Sequence, residues 1–148
     1  MRLTLHTDYA LRLLMLLAAE PGEPRTIADV ARRHGISRHH LVKVTQTLVR
    51  AGFLNAQRGR GGGLALARPA AQIGLGEVVR ATEDNFALVE CFDRASNQCL
   101  IAGACGLQSP LGEAVKAFLA TLDRHTLADL VAHPQRTARM RRILAQAL

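Results

Sequence analysis

The sequence predicts a mainly α-helical chain interrupted by one short β-hairpin, and three observations carry that expectation. Apolar residues make up 49% of the 148 positions while aromatics are only 3%, so a core must be built from Leu, Ala and Val in helix-compatible runs. Apolar positions recur at three- and four-residue steps, as at Leu41, Val44 and Leu48. The stretch that breaks this rhythm is residues 53–69, FLNAQRGRGGGLALARP, two short apolar runs around a loop of glycine and arginine. A length of 148 fits one compact unit with appendages rather than two independent domains.

The elements follow in order. Residues 8–19, DYALRLLMLLAA, are apolar almost all round, as in a helix packed on several sides, and Pro21, Gly22 and Pro24 end it. With Arg2 ahead, this segment superficially resembles a secretory signal. Asp8 and Arg12 interrupt it, however, and Leu13 to Ala19 is at the lower limit of apolar length for such a signal. No other run approaches a membrane span, so the expected location is the cytoplasm, without membrane association and with thiols kept reduced.

Thr26 caps a second helix over 27–34, Asp29 supplies an acid to its first turn, and Gly35 provides a left-handed stop. Ser37 caps a third helix over 38–51, RHHLVKVTQTLVRA. Its inner positions are Leu41, Val44, Leu48 and Val49; its other side shows Arg38, His39, Lys43, Gln46 and Arg50. Two helices joined by the tight link Gly35-Ile36-Ser37 form a helix-turn-helix, whose second helix can enter a major groove. A hairpin directly behind it completes a winged helix-turn-helix, the wing being two-stranded. Residues 74–82 read as a short returning helix.

Ser109 and Pro110 then start a long helix over 110–123, with Leu111, Val115, Phe118, Leu119 and Leu122 on one stripe. That stripe needs cover, and since a helix-turn-helix regulator commonly reads two half-sites, a homodimer is expected. Thr126 caps a shorter helix, Pro134 breaks it, and TARMRRILAQAL ends the chain as a basic amphipathic segment. The expected organisation is a winged helix-turn-helix domain over 1–82, with the helix-turn-helix at about 27–51 and the wing at about 53–67. A cluster-binding cysteine loop follows over 83–108, then a dimerisation helix and C-terminal helices over 109–148.

The formal net charge of +7 comes almost wholly from arginine, because Lys43 and Lys116 are the only lysines. Arginine's planar fork suits phosphates and guanine edges, so double-stranded DNA is the expected partner. Ser37, Arg38, His39, His40 and Lys43 open the recognition helix. In the wing, Gly59, Gly61 and Gly62 let Arg58 and Arg60 approach a backbone or narrow minor groove unobstructed. An enzyme is not expected: no nucleotide-binding loop, catalytic triad or paired-carboxylate signature is present, leaving only the alternative of a cysteine loop used for catalysis.

All the cysteines, Cys91, Cys99 and Cys105, fall in residues 90–106, ECFDRASNQCLIAGACG. Three thiols cannot close into internal disulfides. Structural zinc favours four ligands in CxxC-type pairs, which are absent, leaving zinc with a histidine or carboxylate as an alternative, and a thiol switch needs only two cysteines. An iron–sulphur cluster fits the three thiolates best, but it asks for a fourth donor. Glu90 and Asp93 are local candidates and Asp8, His125 and His133 distant ones; spacing does not choose among them.

Five stretches in order carry a resemblance: MRLTLHTDYALR, ISRHHLVKV, RGRGGGLALARPA, the cysteine loop and LDRHTLADLV. Together, over nearly the whole chain, they resemble the nitric-oxide-sensitive iron–sulphur repressors of the NsrR type, a winged-helix family that also includes IscR. The resemblance implies a homodimer in which Cys91, Cys99 and Cys105 of one chain and Asp8 from the partner subunit hold a 4Fe-4S cluster. It implies operator binding while the cluster is intact and release when nitric oxide nitrosylates it, with nitric-oxide-detoxifying genes as targets. IscR-like relatives carry a histidine three residues after the third cysteine, where this chain has Gln108. The alternative is an IscR-like regulator with a 2Fe-2S cluster that senses iron or redox status. The seven residues between Cys91 and Cys99 are more than the usual spacing.

Overall fold

A computed structural model describes residues 2–22, 24–57, 59 and 62–147. Its helices are α1 (Leu5–Ala19), α2 (Ile27–His34), α3 (Arg38–Arg50), α4 (Leu75–Thr82), α5 (Gln108–Asp123), α6 (Leu127–Val131) and α7 (Pro134–Gln146). The strands β1 (Leu54–Ala56) and β2 (Leu64–Leu66) pair antiparallel between α3 and α4, with Leu54 opposite Leu66 and Ala56 opposite Leu64. This is the expected mainly helical winged helix-turn-helix.

The central helix starts earlier than its apolar run announces. Thr4 Oγ1 accepts the Thr7 N–H at 3.2 Å, satisfying one of the free donors at the helix start, so LHT joins α1 ahead of Asp8. Ala10, Leu13, Leu14, Leu16, Leu17 and Ala19 are all buried, which places α1 between α3, α4, α6 and β2. Each fully buried leucine contributes about 1.5–3 kcal/mol relative to an exposed one.

The helix-turn-helix is set by local chemistry. Thr26 Oγ1 accepts the Asp29 N–H at 3.1 Å, Ser37 Oγ accepts the His40 N–H at 3.2 Å, and Gly35 adopts φ 62°, where a side chain would be strained. Glu20 at the end of α1 pairs with Arg25 at 2.7 Å and Arg33 at 3.3 Å, and Arg33 also reaches Asp29 at 3.1 Å. These side chains are largely buried, so the network fixes α2 against the end of α1. The wing is attached at its base: the Arg25 and Leu64 backbones exchange hydrogen bonds of 3.2 and 2.8 Å. A Cβ on Gly63 would lie 2.9 Å from Pro24 Cβ, so this approach requires glycine.

Behind the wing, the Leu75 N–H donates to the His125 carbonyl at 2.9 Å and the Leu127 N–H to the Ile73 carbonyl at 2.8 Å, joining α6 to the start of α4. Arg80 forks onto both Asp123 oxygens at 2.7 and 2.6 Å, tying α4 to α5. α5 begins at Gln108, ahead of the expected Ser109–Pro110 start, and Pro110 falls in its first turn, where the missing N–H has no intrahelical partner to lose. No residue of α5 is fully buried; its stripe of Leu111, Val115, Phe118, Leu119 and Leu122 is only half-covered. Among the described residues no helix is long and apolar enough to cross a membrane.

A Cβ on Gly76 would collide with the Asp123 carboxylate. Gly76→Ala is therefore expected to break the Arg80–Asp123 fork while sparing the apolar core. The hydrogen bond from Arg80 holds the Asp123 carboxyl below its ordinary range, so this fork stabilises the fold above the unfolded carboxylate pKa of about 3.9. Its contribution is lost as pH falls through the lower folded value. Acid titration of unfolding should show that loss in the wild type and not in Gly76→Ala; identical acid limbs would discard the fork's role.

Candidate DNA interface and cysteine loop

On α3, Leu41, Val44, Thr45 and Leu48 are buried, and Arg38, His39, His40, Lys43, Gln46 and Arg50 are exposed. Val49, expected inside, is 40% exposed because it lies about a quarter turn from the centre of the packed face, at the lip of a cleft. That cleft, about 800 Å³, runs between the start of α2 (Thr26, Ile27, Ala28), the α3 residues Arg38, Val42, Gln46 and Arg50, and Gln57, Gly59 and Gly62 of the hairpin. The Ile27 and Ala28 backbone N–H groups at the start of α2 have no intrahelical partners and suit a phosphate oxygen.

Sequence reasoning sets Gln46 and Arg50 on the outer side of the helix without assigning them to the site, and leaves Thr26–Ala28 and Gln57 out. The four-residue spacing of Arg38, Val42, Gln46 and Arg50 marks a single helix face, and is the signal that identifies it.

The assigned side chains divide by what they touch. Arg38, His39 and Lys43 are exposed and engaged in no ion pair among the described residues. The Ser37 hydroxyl is used in capping, and the His40 ring lies 5.9 Å from the Tyr9 ring of α1. In the wing, Gly59 has φ 103° and its carbonyl accepts the Gly62 N–H at 3.0 Å, a turn that favours glycine. Arg58, Arg60 and Gly61 lie outside the described residues.

Cys91 sits in a single helical turn, Glu90–Phe92, and Cys105 lies just ahead of α5; all three thiols are free and half-buried. Between them the chain is held by local bonds: Asn97 Oδ1 accepts the Cys99 N–H at 3.0 Å, and the Cys99 carbonyl accepts the Ala102 N–H at 3.2 Å. Among the described residues no three Cys, His, Asp or Glu side chains converge on a point able to hold a metal ion. The donor chemistry, three unpaired thiols on one irregular loop, fits an iron–sulphur cluster, and among the described residues of this chain no complete ligand set is assembled.

The candidates for a fourth donor differ in what already engages them. The Glu90 carboxylate accepts the Gln98 N–H within the loop. Asp93 accepts from Ala95 N at 3.0 Å and Ser96 Oγ at 2.7 Å, and these bonds hold its carboxyl below the ordinary range. His133 Nδ1 accepts the Arg136 N–H and caps α7. His125 is exposed. Asp8 is held by Arg12, one turn along α1, at 3.0 and 2.6 Å with both side chains substantially exposed; such pairs are worth about 0.3–0.5 kcal/mol and are easily displaced.

Around Asp8, α1 is connected to the recognition helix. His6 Nε2 and Thr47 Oγ1 are 3.2 Å apart, and the Arg12 guanidinium lies 5.9 Å from the Tyr9 ring, which in turn faces His40. At the start of α1, Glu83 accepts from Thr4 N at 2.8 Å and Thr4 Oγ1 at 3.0 Å, so the root of the cysteine loop also bears on this helix.

A helix-turn-helix followed by a hairpin, sharing one arginine-bearing cleft, defines a winged-helix DNA-binding protein. The chain belongs to the Rrf2 family, described as iron-dependent transcriptional regulators, whose sequence model matches residues 3–133. It is 51% identical over 132 residues, 88% of this chain and 90% of the other, to the HTH-type transcriptional regulator NsrR of Bacillus subtilis strain 168. Among solved structures it resembles T. potens IscR, with 25% identity, a TM-score of 0.71 and coverage of 89% of this chain and 87% of that one. It also resembles CymR (YrzC), the global cysteine regulator of B. subtilis, with 27% identity, a TM-score of 0.67 and coverage of 89% and 97%. The protein is thus a DNA-binding transcriptional regulator and not an enzyme.

Proposed function

We propose that this protein is a homodimeric, nitric-oxide-responsive transcriptional repressor. It binds operator DNA while an iron–sulphur cluster, 4Fe-4S, is intact and releases it when nitric oxide attacks that cluster. Cys91, Cys99 and Cys105 of one chain and Asp8 of the partner subunit would hold the cluster. The observation that carries this reading is the position of Asp8, between His6 and Tyr9, whose side chains meet Thr47 and His40 of α3.

A cluster bound there would supply an iron corner held by a hard carboxylate oxygen, where a small gaseous ligand competes more readily than at a thiolate. The chain's own residues transmit the difference. With Asp8 drawn away, Arg12 loses its only salt-bridge partner among the described residues and is free to leave the Tyr9 face. Tyr9 and His6 together set how α1 bears on His40 and Thr47, and hence the angle at which α3 is presented. Such coupling requires two states with different DNA contacts, which the paired reading heads of a dimer provide.

A second copy is supported by the half-covered stripe of α5 and by the exposed Leu100, Ile101 and Leu107 of the cysteine loop, a concentration of apolar surface that is unusual on a monomer. Ser37, Arg38, His39, His40 and Lys43 of the recognition helix and the wing residues Arg58, Gly59, Arg60, Gly61 and Gly62 would grip the duplex. Base-edge contacts in such an interface contribute roughly 1–3 kcal/mol each.

The test is anaerobic purification, iron and sulphide determination, and an operator shift with and without nitric oxide. Four irons per monomer and a shift abolished by the gas are expected. Protein that binds no iron would end the proposal, and a 2Fe-2S count with Mössbauer confirmation would transfer it to an IscR-like sensor.

A further inference from the structure

We infer that α7 is a second DNA-binding element, whose outward arginines bind phosphates flanking each half-site; the inference rests on the operator-binding reading above. α7 carries Arg136, Arg139, Arg141 and Arg142 and no acid, more than half of the chain's formal charge of +7. All four are exposed, and none makes an ion pair among the described residues. The helix lies beyond residue 133, where the family match ends.

The arginines are not placed to stabilise the helix that bears them. Arg136 lies in its first turn, where the macrodipole opposes positive charge, and its last turn has no basic residue. Arg139 stands three residues from both Arg136 and Arg142, a like-charge spacing that destabilises an isolated helix. An external polyanion relieves both penalties.

α7 is nevertheless a fixed helix and not a frayed tail. His133 caps it, Pro134 opens it, and the buried Thr137 donates its hydroxyl to the Val131 carbonyl at 3.0 Å. Thr137, Met140 and Leu144 form its packed side, and helical geometry sets Arg142 opposite them, with Arg136 and Arg139 along one flank. That packed side rests on α1, α6 and α2, where Met140 and Arg139 share a small pocket with His34. His34 is the last residue of α2, and the recognition helix begins four residues later at Arg38. A duplex held by α3 is therefore the polyanion nearest to this face, and the arrangement extends the charged surface away from the wing.

The test uses the anaerobically purified full-length protein and its Arg139→Gln/Arg141→Gln/Arg142→Gln variant, with operator affinity measured across a salt series. Each phosphate that the protein no longer neutralises lowers the slope of log K against log salt by about 0.9. At least one such phosphate per protomer, a fall of about 1.8 for the dimer, is expected, with the ratio of operator to random-duplex affinity unchanged. Trimming the DNA flanks should bring the wild type down to the variant and leave the variant unaffected, and Lys in place of the three Arg should restore most of the slope. An unchanged slope in the Gln variant overturns the inference and turns this face toward an acidic protein. Absence of operator binding by the wild type would instead reject the functional reading itself.

Discussion

Asp8→Ala is expected to leave a folded dimer whose operator binding no longer responds to nitric oxide. The fold should survive because Asp8 contributes only a partly exposed pair with Arg12 and a first-turn interaction with the helix dipole, together about 1 kcal/mol. The regulatory effect should be large because the same carboxylate is proposed both to complete the ligand set of the partner's cysteines and to restrain Arg12 above Tyr9. The gas-dependent change in affinity should fall to less than about twofold, against the tenfold or greater change that a coupling of roughly 1.4 kcal/mol or more produces. Cluster absorbance and a nitric oxide titration, monitored alongside the operator shift, check both halves. His125→Ala, which removes another candidate donor, should behave as the wild type. Should Asp8→Ala keep the parent spectrum and gas response while His125→Ala loses them, the ligand assignment moves to the histidine.

Leu13→Ala is expected to produce the largest loss of stability from a single truncation. Leu13 is fully buried at the centre of α1, where helices and the wing strand meet, so the vacated volume cannot be refilled by one neighbour. Transfer and cavity terms together cost about 2–5 kcal/mol, out of a total that is typically about 5–15 kcal/mol. For a chain of this size that corresponds to a fall in melting temperature of roughly 6–20 °C. Leu5→Ala, on the same helix but 47% exposed, should change stability by less than about 0.5 kcal/mol. Equal losses at the two positions in thermal melts of cluster-free protein would contradict the central placement of α1.

Much of the helical framework is readable because its signals are local. Thr26, Ser37 and Gly35 announce their helix ends within three residues, and Thr126 does so through the Asp129 carboxylate, which accepts its N–H at 2.7 Å. The start of α1 is harder to place for a related reason: the apolar run marks the buried part of the helix, while the cap at Thr4 lies upstream of it. Val49 falls on the wrong side in a sequence reading because a helix face has no sharp edge in sequence, and only the cleft beside the wing decides which side of that edge the residue occupies. The cysteines are recognisable as a candidate donor set from type and clustering, but no local pattern fixes the path of the irregular loop that carries them.

Sequence alone determined the inventory: which segments are helical, where they stop, which face of α3 is charged, and that three thiols share one loop. Each of these follows from interactions over a few residues, which periodicity and capping chemistry express directly. Tertiary structure decided the meetings: His6 with Thr47 across 41 positions, Arg80 with Asp123 across 43, and Thr4 with Glu83 across 79. No local pattern encodes such pairs, because they arise only when the packing of α1 against the rest of the chain brings distant side chains within reach.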